Sequence, residues 1–358
     1  MKTGILTFSN ALNPGAVLQA FSLYKALGEK GNTSRLIDYH CEAIDAMHRQ
    51  KRVFGPGLRL KERVFGAVYN VVFFPRRIRY RRFVKKRMQS EGPYTRETIA
   101  GADGVFDLYV TGSDQVFNLD LTGGDTAYYL DFAHSGKKVS FAAGVGNIAP
   151  GNAQTIKQNL ESFDGISVRE IKGQEQLKAL CGIDAEVVPD PVFLHTGEEW
   201  RKLLDLKEKK GKGYVLLYQL YESPSLYKVA EIAAAKYGLK TVVVTRALQT
   251  HHKVDRVVRN AGPREFLQLI AGADYVVTNS FHGTAFSIIF EKPFNTLIPG
   301  PSPERLTELL EATGHMDRAL FPGSKSQLVL GPAEYTQETS AAVLKRTADE
   351  WLDRITKE

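Results

Sequence analysis

The sequence predicts an α/β protein made of two doubly wound parallel-sheet domains facing a cleft. Three observations carry this reading. A length of 358 residues suits about two domains. Short β-rich runs alternate with helical stretches in two separate series, as parallel sheets with crossover helices require. Between the series stands a charged, lysine-rich stretch, Glu198–Lys212, which reads as the interdomain linker.

In the first series, Thr3–Phe8 reads as a buried strand. Asn13 is placed as an N-cap before Pro14-Gly15, and Leu18, Phe21 and Tyr24 form the apolar stripe of the helix that follows. Ser34–Tyr39 is the next strand, completing a β-α-β start. Residues 41–100 interrupt the rhythm, with a strongly basic helix expected at Arg76–Met88, after Pro75. The alternation resumes with strands at Val105–Thr111, Lys138–Ala143, Gly165–Val168 and Ala185–Val188, and with helices at about 152–162 and at Ile171–Leu180. In the second series, strands are expected at Tyr214–Tyr218, Thr241–Thr245, Asp274–Thr278 and Pro293–Ile298. Its helices fall at about 224–236 and 263–271 and at Thr284–Phe290, and one amphipathic helix spans 335–356. The domains expected are therefore 1–205, carrying the basic insertion 41–100, then 206–334, then a C-terminal helix 335–358 packing back on the first.

Composition narrows the function classes. Hydrophobic residues at 43% and 31 glycines exclude a mostly disordered chain. No apolar run approaches the roughly 20 residues of a membrane span, and Thr3–Phe8 is too short for a signal peptide. Two cysteines, Cys41 and Cys181, exclude a disulfide framework or a cysteine zinc site and favour a reducing, cytoplasmic location. The net charge of +7 is concentrated: residues 51–96 hold 14 Lys/Arg against Glu62 and Glu91, whereas the rest of the chain holds 33 basic and 38 acidic residues. Such a cluster suits an anionic membrane surface or a nucleic acid, or else a solvated helix.

Ligands of open parallel sheets bind beyond the carboxyl ends of the strands, which selects four loops. Asn279-Ser280-Phe281-His282-Gly283 joins a strand to a helix, so His282 sits where amides and the helix dipole favour an anion and where it can deliver a proton. The alternative is a capping or wall histidine. In Gly112-Ser113-Asp114-Gln115, Asp114 suits a base and Gln115 a sugar contact, or the four form a tight turn. Arg169, in Ser167-Val168-Arg169-Glu170, suits a bidentate clamp on carboxylate or phosphate, or a salt bridge with a nearby Glu. Asn13–Gln19 offers a further helix start, whose simpler reading is ordinary capping. His251-His252 shows no metal-ligand spacing. No P-loop, G-x-G-x-x-G or G-x-S-x-G motif supports a kinase, dinucleotide or hydrolase reading.

Taken together, these motifs resemble the polysaccharide pyruvyl transferase family. Asn13-Pro14-Gly15-Ala16-Val17-Leu18-Gln19-Ala20 is similar to the family's opening motif, and Gly112-Ser113-Asp114-Gln115-Val116-Phe117-Asn118 to its G-S-D-Q-V-W-N, with Phe117 for the usual Trp. Ser167–Glu170, Asp190-Pro191 and Thr278–Ala285 complete the set in order, over about residues 4–320. The resemblance implies a GT-B-like fold and transfer of a pyruvyl group from phosphoenolpyruvate to a sugar, as a ketal, in surface polysaccharide (capsule or exopolysaccharide) synthesis. It implies His282 as acid and Arg169 at the donor. One departure stands out: some members carry arginine two residues before the histidine, where this chain has Ser280.

The expected site follows. His282 and Asp114 are the catalytic acid and base. Arg169, Ser280, Gly283 and Thr284 are on the donor side, with Arg246 or Arg264 supplying the missing cation. Asn13, Gln19, Ser113, Gln115 and Asn118 are on the acceptor side. Neither a metal nor a cofactor is required, phosphoenolpyruvate being a co-substrate. The partner expected is a sugar or a lipid-linked oligosaccharide, with peripheral contact at the inner membrane face through the basic segment and no nucleic acid. The rival readings are a nucleotide-sugar glycosyltransferase on the same fold and a non-enzymatic membrane- or RNA-binding protein using residues 76–87.

Overall fold

The computed structural model describes residues 1–55, 57–208, 213–250, 252–298, 303–322, 328–336 and 341–357. Along the chain run β1 (Lys2–Leu6), α1 (Pro14–Glu29), β2 (Thr33–Tyr39), α2 (Glu42–His48), α3 (Leu60–Arg87), β3 (Ser90–Tyr94), β4 (Leu108–Thr111), α4 (Leu119–Thr122), β5 (Lys137–Ser140), α5 (Ala153–Leu160), β6 (Ser167–Val168), α6 (Ile171–Gln176) and β7 (Glu186–Val187). Then follow α7 (Gly197–Leu204), β8 (Tyr214–Tyr218), α8 (Pro224–Tyr237), β9 (Lys240–Val244), β10 (Arg256–Val258), α9 (Pro263–Gly272), β11 (Tyr275–Thr278), α10 (Phe281–Ile289), β12 (Phe294–Leu297), α11 (Glu304–Ala312), β13 (Ala319–Leu320) and α12 (Ala341–Thr356).

The chain folds as two compact units. The first comprises Met1–His48, Arg82–His195 and Leu344–Glu358, the second Arg49–Arg81 and Thr196–Val343. In the first, an all-parallel sheet runs β3-β2-β1-β4-β5. The pair β6-β7 continues past the β5 edge through bridges from Val139 to Gly165 and from Ala143 to Val168. In the second, a parallel sheet runs β10-β9-β8-β11-β12-β13. Both are Rossmann-like, as the alternation predicts. Their strand order reverses between β1 and β4 and between β8 and β11, so each sheet has a topological switch point where its loops diverge.

Continuous apolar runs make these central strands. Ile5 and Leu6 in β1, Leu108–Val110 in β4, Val215–Leu217 in β8 and Tyr275–Val277 in β11 are all buried, as strands covered on both faces must be. The unit boundaries depart from the sequence reading. The second unit begins at Thr196 rather than at 206, and it includes Arg49–Arg81 from the basic insertion. The physical reason lies in α3: Arg79 donates to the Asn260 carbonyl and pairs with Glu265 at 3.8 Å, while Tyr80 is buried.

Three elements also depart. The expected linker begins inside α7, which has a capping box: Glu199 N donates to Thr196 Oγ1 (3.2 Å) and Thr196 N to Glu199 Oε2 (2.7 Å). Its Trp200 and Leu204 are buried, whereas residues 209–212 of the supposed linker lie outside the described residues. The basic helix does not start after Pro75; α3 runs through it. Val71 and Pro75 both face solvent, so the Val71 carbonyl that loses its donor stays open to water. The C-terminal helix begins at Ala341, residues 337–340 lying outside the described residues, and packs on the first unit. There Trp351 Nε1 donates to the Ser140 carbonyl (3.0 Å) and Lys345 Nζ to that of Leu194 (2.6 Å). Among the described residues, no helix is long and apolar enough to cross a membrane.

The capping box makes a simple prediction. Thr196→Ala should lower stability by about 1 kcal/mol, read as a lower urea midpoint. An unchanged midpoint would show that α7 does not depend on its cap.

Candidate functional site

In the first unit, the loops after β1 and β4 meet at the switch point through buried hydrogen bonds. Gln19 Nε2, from α1, donates to Thr7 Oγ1 (2.8 Å), and Thr7 Oγ1 donates to the Ser113 carbonyl (2.7 Å). Ser113 Oγ donates to Asp190 Oδ2 (3.0 Å). Arg169 completes the network. Its Nη1 reaches Ser113 Oγ (3.1 Å) and Asp190 Oδ2 (3.0 Å), and its Nε reaches Glu170 Oε1 (2.8 Å). Asp190 Oδ1 in turn caps the turn at Pro191 by accepting from Val192 N (3.1 Å). The Arg169 side chain is 2% exposed and that of Asp190 0%. Burial alone would lower the arginine pKa, but Glu170, Asp190 and Asp114 more than offset this and hold it above the usual arginine range.

Gly112, Ser113 and Asp114 are bent sharply here. Asp114 has φ 82°, in the left-handed region. Its carbonyl accepts from Gly144 N (2.7 Å), and its Oδ1 accepts from Gln115 N (2.9 Å). Gly144 is required by this close approach, since a Cβ there would lie 2.7 Å from the Asp114 carbonyl oxygen and 2.9 Å from Arg169 Nη2. Asp114, with this strained backbone, is half-buried just past the end of β4. Phe117, where the family motif has Trp, is fully buried and stacks on Tyr129 at 4.7 Å.

The structure thus ties together Gln19, Ser113, Arg169 and Asp190, drawn from four separate sequence motifs. It also reassigns several of them. Of the two readings of Arg169, a ligand clamp or a salt bridge with a nearby Glu, the structure has the salt bridge, with Glu170, and adds a second with Asp190. Gln19 and Ser113 were expected at the acceptor, yet both are 0% exposed and act within the network. Asn13 and Asn118 are N-caps, accepting from Gly15 N (3.0 Å) and Leu121 N (3.2 Å). Gln115 Oε1 accepts from Asn118 Nδ2 (3.0 Å), and these two side chains are half-buried.

The second unit builds its switch point from the loops after β8 and β11. Asn279 links them: its Oδ1 accepts from Leu220 N (2.8 Å) and its Nδ2 donates to the Tyr221 carbonyl (3.0 Å). Ser280 is the N-cap of α10, accepting from Gly283 N (3.3 Å). The helix therefore starts at Phe281, three residues earlier than the sequence suggests, and His282 lies in its first turn. His282 is 6% exposed. Thr284 Oγ1 donates to the Ser280 carbonyl (3.0 Å) and lies 2.8 Å from Thr296 Oγ1. Gly283 has no room for a side chain, since a Cβ would fall 3.0 Å from Tyr218 Cδ1 and closer still to Thr278 Oγ1.

Near this turn stands Arg246, one of the two cations expected at the donor, together with Arg76 and Arg77, which the sequence reading left in the basic segment. Tyr218 ends β8 and is buried. Burial raises its phenol well above the usual value and nearby Tyr80 adds to this, while Arg76, Ser280 and Arg246 act in the opposite direction. Arg77 is half-buried. Burial lowers its pKa, and Arg81, Arg246 and Arg76 lower it further. Arg76 lies 5.3 Å from the Tyr80 ring centroid. Among the described residues, neither Arg77 nor Arg246 forms an ion pair. Arg264, the other cation expected at the donor, instead caps α7: its Nε donates to the Leu204 carbonyl (2.8 Å) and its Nη2 to that of Asp205. The signal for Arg76 and Arg77 was present in the basic segment, but nothing local in sequence indicates that this segment folds against β8. Of the His251-His252 pair, His251 lies outside the described residues and His252 stacks on Tyr227 at 3.9 Å.

A cavity of about 480 Å3 in the first unit lies away from its switch point, by Lys137 and Trp351 at the amino ends of β5 and β6. Among the described residues, no group of three or more His, Cys, Asp or Glu side chains is placed to hold a metal ion.

The family model described as Polysaccharide pyruvyl transferase matches residues 13–299, well over half of the chain. The chain belongs to the polysaccharide pyruvyl transferase family. No curated protein matches it in sequence. Among solved structures, it is similar to a UDP-GlcNAc 2-epimerase from Methanocaldococcus jannaschii, at TM-score 0.50 and 12% identity, over 98% of this chain and 100% of that one. A UDP-GlcNAc 2-epimerase from Neisseria meningitidis gives 0.48 and 9%, over 100% and 95%. Spinosyn rhamnosyltransferase SpnG gives 0.43 and 13%, over 99% and 96%. The first of these likenesses supports the GT-B-like class of two Rossmann-like domains for this pyruvyl transferase family member.

The network around Arg169 predicts a stability effect. Arg169→Met leaves Asp190 and Glu170 without their cation and should cost about 3–5 kcal/mol in chemical denaturation. A loss below about 1 kcal/mol would mean that the ion pairs do not brace the loops.

Proposed function

We propose that the protein transfers the pyruvyl group of phosphoenolpyruvate to a sugar, forming a ketal in surface polysaccharide synthesis at the cytoplasmic side. The observation that carries this reading is the set of anion-ready groups in the second unit. The α10 N-terminus, capped by Ser280 and with His282 in its first turn, lies by Tyr218, whose surroundings include Arg76 and Arg246, and Arg77 adjoins these; among the described residues neither Arg77 nor Arg246 forms an ion pair. A helix start and adjacent arginines suit a ligand bearing both carboxylate and phosphate.

The chemistry asks for an acid at the methylene carbon and fixed positive charge around the donor. His282 gives its proton to carbon 3 of phosphoenolpyruvate, and carbon 2 takes on oxocarbenium character. A sugar hydroxyl adds to carbon 2 and loses its proton to a base, the role we assign to Asp114. The carbon–oxygen bond to phosphate then breaks with its electron pair leaving on the phosphate, a second hydroxyl of the same sugar bonds to carbon 2, its proton returns to His282, and the proton held by Asp114 passes through solvent to the released inorganic phosphate. The start of α10 turns the positive end of its dipole to the growing phosphate charge, while the amides of Gly283 and Thr284, expected at the donor, are held by Ser280. Arg246 and Arg77, with Arg76 close by, take the place of the arginine that Ser280 replaces. Arg169 acts one step back, by holding the loop that carries Asp114. Gln115 and Asn118 remain the acceptor-side candidates, as their side chains keep partial access to solvent.

Two kinetic outcomes test this. His282→Gln should reduce phosphate release from phosphoenolpyruvate by about 2–4 orders of magnitude without loss of fold, and near-normal turnover would remove the acid role. Arg246→Gln should raise the KM for phosphoenolpyruvate about 10–100-fold, with little change for the acceptor, because one charge-assisted contact is lost. An effect confined to the acceptor KM would place Arg246 at the other substrate.

A further inference from the structure

The solvent-facing side of α3 is apolar where a helix of a water-exposed domain is normally polar. Leu60, Val64, Val68, Val71, Phe74 and Ile78 recur every three or four residues, so they share one face. All six are exposed, Leu60 by 74% and Val71 by 75%, while Phe73 and Tyr80 are buried. Phe54, just before the helix, is 77% exposed, and the Arg63 guanidinium lies 5.4 Å from its ring centroid. From Leu60 to Ile78 the face extends about 27 Å. Isolated exposed apolar residues are ordinary, but a continuous row of this length marks an interaction surface.

The charge around the row indicates what covers it. Lys61, Arg63, Arg79 and Arg81 are exposed on the same helix, and Glu62 is its one acidic residue. Lys61 and Arg81 form no ion pair among the described residues. A second copy of this face would bring like charges together, whereas an acidic lipid surface would complement them. A helix with an exposed apolar row and basic flanks has the chemistry of an interfacial anchor, in which the apolar side chains enter the headgroup region and the cations meet lipid phosphates.

We propose that α3 docks the protein on an anionic lipid bilayer, lying in the plane of the interface with Leu60, Val64, Val68, Val71, Phe74 and Ile78 toward the lipid. The partner is the bilayer surface itself, and the inference does not depend on the donor or the acceptor of the proposed reaction.

Co-sedimentation of the full chain with vesicles tests it. At low salt, binding to phosphatidylglycerol–phosphatidylcholine vesicles should exceed binding to pure phosphatidylcholine vesicles by at least about tenfold, and high salt should abolish most of the difference. Val71→Glu with Phe74→Glu, both at exposed positions, should lower binding to the anionic vesicles at least about tenfold with the thermal midpoint unchanged. Lys61→Glu with Arg81→Glu should lower it by about fivefold or more per position. Protein that stays in the supernatant with anionic vesicles at low salt overturns the proposal. So does a dimer that the Val71→Glu, Phe74→Glu variant dissociates while vesicle binding is unchanged, which would assign the face to a second copy.

Discussion

One buried guanidinium constrains most of the first unit's switch point. Arg169 is nearly sealed from water, and a lone cation there would be prohibitively costly. It is tolerable because Glu170 and Asp190 surround it and Ser113 shares its hydrogen bonds. Each partner thereby has its position set. Asp190 also holds the turn at Pro191, which accepts from Ser22 of α1 through its carbonyl (2.5 Å). Ser113 fixes the bend after β4, and the Gln19–Thr7 pair fixes the same loop from the α1 side. The strained Asp114 backbone persists because these contacts over-determine it. Motifs spread over some 180 residues of sequence are thus parts of one electrostatic arrangement.

The second unit uses charge in the opposite way. In the first, the cation is neutralised inside the protein. In the second, Arg77 is held below the usual arginine range by burial and by Arg81, with Arg246 and Arg76 adding to this and Tyr69 acting against it. Under the proposed function, that contrast accounts for Ser280 standing where some members of the family have arginine. As an N-cap, Ser280 secures the first turn of α10 and keeps His282 in place, while α3 brings positive charge from a remote part of the chain. The same helix that turns its arginines toward Tyr218 shows its apolar row to solvent, so one element serves two surfaces.

The parallel-sheet class was legible because buried strands such as Val215–Leu217 and Tyr275–Val277 are unbroken apolar runs between helical stretches. The location of His282 and Asp114 at strand ends was legible for the same reason. Less was visible where local signals conflict with packing. β3 contains Gly92 and Pro93, and at a sheet edge a strand tolerates both, so no pattern announces it. β10 is three residues long and flanked by polar loops. Pro75 reads as a helix start, yet α3 passes through it because its missing donor faces water. The Thr196-x-x-Glu199 capping signature of α7 was readable but was outweighed by the lysines beyond it. For Arg169 the sequence left a ligand clamp and a salt bridge with a nearby Glu both open, because a clamp and a brace need the same residue at the same strand end. Only the non-local position of Asp190 distinguishes them.

The most direct measurement is mass spectrometry of sugar acceptors after incubation with the purified protein and phosphoenolpyruvate, with released phosphate assayed in parallel. The expected result is an acceptor that gains a pyruvyl ketal, one phosphate released per ketal formed, and loss of both in His282→Gln. Unconsumed phosphoenolpyruvate across free and lipid-linked acceptors, together with sugar transfer from a nucleotide-sugar donor, would contradict it.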